Sequence, residues 1–131
     1  MSELSFKPTA QDIGMFRADP KSFVFKVMLP APRDITTDTI IFGVYAGAHG
    51  TPAKIGPKTN APGQHSSPSL ADGGEITFAL SAADTKPAST TAVTCWQYEV
   101  KLRPAGGVAG VDDIVIFYGN LFIYPRAEQI V

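Results

Sequence analysis

Hydrophobic and polar residues alternate most regularly along Thr94–Arg103. Trp96, Tyr98, Val100 and Leu102 take one parity; Gln97, Glu99 and Lys101 take the other. Period-two alternation over this length predicts a strand buried on one face and wet on the other. A second arm, residues 113–124, is apolar on both parities. Val115, Phe117, Leu121 and Ile123 fall on one, and Ile114, Ile116, Phe122 and Tyr124 on the other. That pattern reads as a strand covered on both faces, by the core and by a partner or a neighbouring loop. Between the arms, residues 104–111 hold Gly106, Gly107 and Gly110, a flexible hairpin connection.

Three further strands follow from the same pattern. Residues 22–29 put Phe23, Phe25, Val27 and Leu29 on one face, and Pro30 and Pro32 stop the run. Residues 39–45 are rich in β-branched and aromatic side chains (Ile40, Ile41, Phe42, Val44, Tyr45). Residues 75–80 point Ile76, Phe78 and Leu80 inward. Ahead of these, residues 1–11 read as an edge strand or a loose arm, and Ile13, Met15 and Phe16 offer apolar surface to bury before a turn at Asp19-Pro20. Residues 33–38 read as a polar turn with one inward apolar side chain. Ser81, followed three residues later by Asp84, has the form of a capping box, and Pro87 limits it to one helical turn. Six to eight short strands without a long amphipathic helix predict an all-β fold. It is expected to be a single antiparallel β-sandwich, immunoglobulin-like or jelly-roll-like, spanning residues 1–131. Residues 46–74 carry ten Gly and Pro residues and little apolar content. They read as an extended loop or arm, with at most a short edge strand at 53–55. Residues 125–131 read as a C-terminal tail.

Composition narrows the function. At 131 residues and 44% hydrophobic, the chain suits one folded domain. Charged residues are 18%, which points weakly to a surface packed against partners. The net charge is −1 and no Lys/Arg block occurs, so neither nucleic acid nor an anionic membrane surface is an expected partner. No apolar run approaches the roughly 18 residues of a membrane span. The opening residues lack the basic-then-apolar pattern of a signal peptide, so synthesis and use without crossing a membrane are expected. The single cysteine, Cys95, allows no internal disulfide.

Residues able to carry chemistry are few. His49 and His65 lie in the long Gly/Pro-rich region, and their spacing matches no compact metal motif. Cys95 sits in the alternating strand on the face opposite Trp96, which favours an unreactive position. No Gly-x-Ser-x-Gly elbow is present, and Asp112-Asp113 at the hairpin tip suit a turn better than a calcium loop. No catalytic residue, metal or cofactor is therefore expected. The aromatic and apolar supply of the second arm exceeds what one sandwich core needs. Val115, Phe117, Leu121 and Ile123 are thus candidates for a protein–protein interface, joined by His49, Lys54, Ile55 and His65 from the arm.

The order of segments resembles a known family. Phe-Arg-Ala-Asp at 16–19 precedes the Phe-Val-Phe-Lys-Val strand, and Asp-Ile-Thr-Thr at 34–37 leads to the next. Then come Gly-Glu-Ile-Thr-Phe-Ala-Leu-Ser-Ala-Ala-Asp-Thr at 74–85, Trp-Gln-Tyr-Glu-Val-Lys-Leu at 96–102 and Tyr-Gly-Asn-Leu-Phe-Ile-Tyr-Pro at 118–125. This is similar to tailed-bacteriophage virion domains such as the N-terminal β-sandwich of baseplate upper proteins. Ala18 departs from the Gly that such domains often carry in the first turn. The resemblance implies a non-enzymatic virion structural protein, assembled in the host cytoplasm and present in several symmetric copies. Its partners would be other phage structural proteins of the capsid or tail, in head decoration or cement, or as a tail or baseplate adaptor. The alternative expectation is a soluble carbohydrate- or ligand-binding β-sandwich module.

Overall fold

The computed structural model describes residues 9–27, 34–47, 52–62 and 74–125. The strands are β1 (Thr9–Ala10), β2 (Ile13–Phe16), β3 (Lys21–Val27), β4 (Thr39–Tyr45), β5 (Ala53–Asn60), β6 (Gly74–Leu80), β7 (Thr94–Arg103) and β8 (Ile114–Tyr124). One helical turn, α1 (Ala82–Thr85), lies between β6 and β7. None of the described helices is long and apolar enough to cross a membrane.

The chain is an all-β, two-layer sandwich. The larger sheet runs β1-β8-β7-β4-β5, with β2 also paired to β8; the smaller is the β3–β6 pair. Successive strands β3 and β4 lie in different layers, as do β5 and β6, and β6 and β7. This order, with β8-β7-β4-β5 in one layer and β3-β6 in the other, is the immunoglobulin-like arrangement of Greek-key crossings. Pairing is antiparallel except at one edge. There β1 and β2 run parallel to successive parts of β8, with Thr9 opposite Phe117 and Ile13 opposite Leu121.

The alternation of the sequence is the alternation of burial. Phe23, Phe25 and Val27 of β3, Ile76, Phe78 and Leu80 of β6, and Trp96, Tyr98, Val100 and Leu102 of β7 are all buried. Five aromatic rings tie the layers together: Phe25 and Phe78 from the small sheet, Phe42, Tyr98 and Phe117 from the large one. Phe25–Phe117 centroids lie 5.0 Å apart and Phe42–Phe78 5.4 Å apart, within the range where aromatic pairs attract beyond their simple burial. The turn before β4 buries Ile35 completely and is closed by the Thr36 amide donating to the Asp34 carboxylate at 2.9 Å. The helical turn forms as its capping residues dictate, with the Ser81 amide donating to Asp84 at 2.8 Å.

Three features differ from the sequence expectation, each for a local reason. The double-sided apolar pattern of β8 does not mean a strand covered on both faces. Val100 is opposite Phe117, whereas the next residue, Lys101, is opposite Val115, so β8 carries one extra residue there. That bulge switches the parity of the strand. Ile116 and Phe117 both enter the core, and from Phe117 onwards the odd positions Leu121 and Ile123 continue inward. Second, residues 46–74 are not wholly an extended arm. β5 occupies eight of them and pairs with β4 through two register shifts, one at Gly56-Pro57 and one at Lys54. Proline is tolerated at such an edge or bulge because no ladder donor is needed there. Third, of Ile13, Met15 and Phe16, only Met15 is fully buried, and Phe16 is 52% exposed. His49, His65, Leu29 and residues 126–131 lie outside the described residues.

Two side-chain links draw the β5 edge towards the other layer. Lys58 pairs with Asp84 of α1 at 3.1 Å, and the Asn60 amide donates to the Thr77 carbonyl of β6 at 3.2 Å.

Candidate functional site

Two hollows outside the core combine exposed aromatic rings with defined geometry. The first is on the outer face of the large sheet. Register places Tyr45, Gln97 and Asn120 in one row across β4, β7 and β8, and Gly43, Glu99 and Tyr118 in the next. A cavity of about 330 Å³ lies over them, with Asp12 and Gly47 on its rim. Tyr45 is held by the residue it leans over: a Cβ at Gly43 would come within 2.6 Å of the Tyr45 hydroxyl and 3.0 Å of the ring. Glycine here leaves room for the ring to lie back along its own strand. Glu99 is paired with Lys101 at 3.4 Å. One Asp12 oxygen accepts from the Asn120 amide at 3.0 Å, filling a ladder position where β1 gives way to β2. The side-chain amides of Gln97 and Asn120 and the hydroxyls of Tyr45 and Tyr118 have no partner among the described residues.

Tyr98 lies beneath this face and points the other way, into the core, where its hydroxyl donates to the Gln11 carbonyl. Burial, reinforced by the nearby Asp12 charge, pushes its phenol up to about 12.

The second hollow is an apolar notch of about 340 Å³ where β2 and β8 end side by side. Gly14, Met15, Phe16, Pro20 and Tyr124 line it, with the charged Asp19 and Lys21 at its border. The Phe16 and Tyr124 rings are 6.1 Å apart, and both are well exposed, at 52% and 41%.

The interface candidates named from sequence do not form one surface. Phe117, Leu121, Ile123 and Ile55 are core residues. Val115 faces outward opposite Lys101 and is partly covered. Lys54 is exposed, with its ammonium 6.0 Å from the Trp96 ring. His49 and His65 lie outside the described residues. What sequence reading missed were Tyr118 and Tyr124, which the bulge turns outward, and Phe16 beside Tyr124. The signal was present in the Gly-Asn pair at 119–120, which interrupts the apolar run, but the bulge two residues earlier is invisible to a parity count. Cys95 is exposed and makes only a long contact to the Trp96 carbonyl, 3.9 Å. Among the described residues, no three His, Cys, Asp or Glu side chains come together as a metal-binding group.

Neither a protein-family model nor a curated protein sequence matches the chain.

Proposed function

We propose that the protein is a non-enzymatic structural module of a bacteriophage particle, bound in several copies to a capsid or tail. The observation that carries this reading is the Phe16–Tyr124 notch. Two large aromatic rings stand exposed side by side over a mainly apolar hollow bordered by Asp19 and Lys21, an aromatic surface with a charged border of the kind that anchors protein–protein contacts. The sequence resemblance supports the same reading, and its most specific segments fall on regular elements: residues 76–85 run through β6 and α1, and residues 96–102 lie within β7. Bound copies would follow the symmetry of the particle, each using the same notch.

Light scattering on the purified chain, alone and mixed with particles that lack it, tests this. A ring of copies, or a monomer binding particles at fixed stoichiometry, supports the proposal, provided that Phe16→Ser or Tyr124→Ser abolishes the association while the chain stays folded. A folded monomer that ignores particles refutes it and favours a soluble ligand-binding module.

A further inference from the structure

We infer that the outer-face hollow framed by Tyr45, Gln97, Glu99, Tyr118 and Asn120 is a binding site for a neutral saccharide ring. The inference goes beyond particle assembly and uses none of the notch residues.

Its dimensions follow from the sheet. Neighbouring strands lie about 4.8 Å apart and alternate residues about 7 Å apart along a strand. Two rows across three strands therefore span roughly 10 by 7 Å, the footprint of one hexose. The cavity of about 330 Å³ is at the small end of ligand pockets, which begin near 300 Å³.

Its chemistry suits a sugar in two respects. Aromatic platforms take the C–H face of a pyranose, and Tyr45 is such a platform. The missing side chain of Gly43 lets its ring lie back over the sheet. Tyr118, 46% exposed, stands diagonally across the grid. Vicinal hydroxyls are at once donors and acceptors, and so are the planar amides of Gln97 and Asn120. Those amides have no protein partner among the described residues. Glu99 and Asp12 add acceptors already fixed by Lys101 and by the Asn120 backbone. The Lys101 ammonium offsets the Glu99 charge, while the Asp12 carboxylate on the rim keeps its own and disfavours an anionic ligand; the choline arm of the test separates a cationic ligand from a neutral one. All six grid positions sit on paired strands, so binding orders little protein.

Saturation-transfer NMR on the full chain tests the inference. Glucose, galactose, N-acetylglucosamine and lactose would be offered at tens of millimolar, with choline and inorganic phosphate as parallel arms. The expected result is transfer to the ring protons of at least one saccharide, with shifts in the Gln97 and Asn120 side-chain amides of labelled protein. Tyr118→Ala and Gln97→Ala change exposed positions and should each weaken that binding about tenfold, a loss of about 1.4 kcal/mol, without moving the melting temperature. Silence from every saccharide overturns the inference. So does saccharide binding that survives both substitutions, or binding of choline or phosphate in place of the sugars.

Discussion

The Tyr98 hydroxyl donates to the Gln11 carbonyl, joining positions 87 residues apart in sequence. Tyr98 lies on the central strand β7, and Gln11 lies in the break between β1 and β2 at the sheet edge. The bond therefore pins the one parallel edge to the core. The Gln11 carbonyl faces the protein and loses this donor, so Tyr98→Phe should cost about 1–2 kcal/mol by chemical denaturation. Its larger signature is at alkaline pH. The folded phenol titrates near 12, against an ordinary value of 10.0. A group raised in the folded state stabilises fully below its unfolded value, and that stability is lost as pH rises through the folded one. The native protein should lose stability between pH 10 and 12, and Tyr98→Phe should lose less. Equal pH dependence in both would show that Tyr98 is not the responsible group.

Gly119 makes that link sterically feasible. A Cβ there would meet the Gln11 carbonyl oxygen at 2.2 Å and its carbon at 2.8 Å. The obstacle is backbone, which cannot swing aside. Gly119→Ala should destabilise by about 1–3 kcal/mol, the usual cost of overpacking. Hydrogen exchange should speed up most in residues 9–16, because β1 and β2 must shift away. Unchanged protection there would mean that the edge accommodates a methyl group.

How far the sequence could be read depended on what each strand packs against. β3, β6 and β7 were legible because one face meets the core and the other meets water, which is what alternation records. The short helical turn was legible because Ser81 and Asp84 cap it locally. β5 was not. It has one fully buried side chain, Ile55, and its pairing to β4 comes from backbone bonds that no hydrophobic pattern reports. The parallel strand β1 spans two exposed residues and is equally silent. Candidate interface residues on β8 were misassigned because a bulge exchanges inward and outward positions without changing composition. The outer-face grid needs the register of three strands, and only pairing supplies that.

Ala18 has φ 60, the only non-glycine with a positive φ among the described residues. Its amide donates to Thr85 at 2.7 Å, and neighbouring Arg17 donates to the Lys86 and Ala88 carbonyls at 2.8 and 3.1 Å. The turn is thus held in the left-handed region by contacts to the segment around α1. An L-residue there costs about 1–2 kcal/mol, which glycine avoids. Part of that gain is offset by the greater freedom of glycine in the unfolded chain. Ala18→Gly should raise stability by about 0.5–1 kcal/mol, and Ala18→Val should lower it. A loss on Ala18→Gly, measured by denaturant midpoint, would show that the backbone is not strained.

At the base of the loop that joins β7 to β8, Arg103 holds Asp113 through two bonds of 2.7 and 3.1 Å. The Arg103 guanidinium, helped by the Gly110 amide, keeps the Asp113 carboxyl below its ordinary 3.8, although partial burial opposes the shift. A lowered carboxylate contributes stability above its unfolded value and loses it as pH falls through the folded one. Moving from pH 7 to pH 3 should therefore cost the native protein more than Asp113→Asn, whose residue 113 cannot titrate. The pair is close to solvent, so the difference should shrink in high salt. Parallel acid profiles for the two proteins would remove this pair as a contributor.

Gly43→Ala separates the stability of the fold from the geometry of the outer-face hollow. The new methyl group would press on the Tyr45 ring and hydroxyl, at 2.6–3.2 Å. These atoms are the far end of a half-buried side chain on the outer face, and the ring can swing out. Removing a strand glycine also gains about 0.5–1 kcal/mol in conformational freedom. The two effects oppose each other, so stability should stay within about 1 kcal/mol of native. The platform, however, would tilt away from Gln97 and Tyr118, and any saccharide bound there would lose its stacking surface. Denaturation and saccharide titration on the same variant should therefore disagree, the first nearly unchanged and the second weakened severalfold. If both stay unchanged, Tyr45 is not part of the site; if both fall together, its ring serves mainly to cover the sheet.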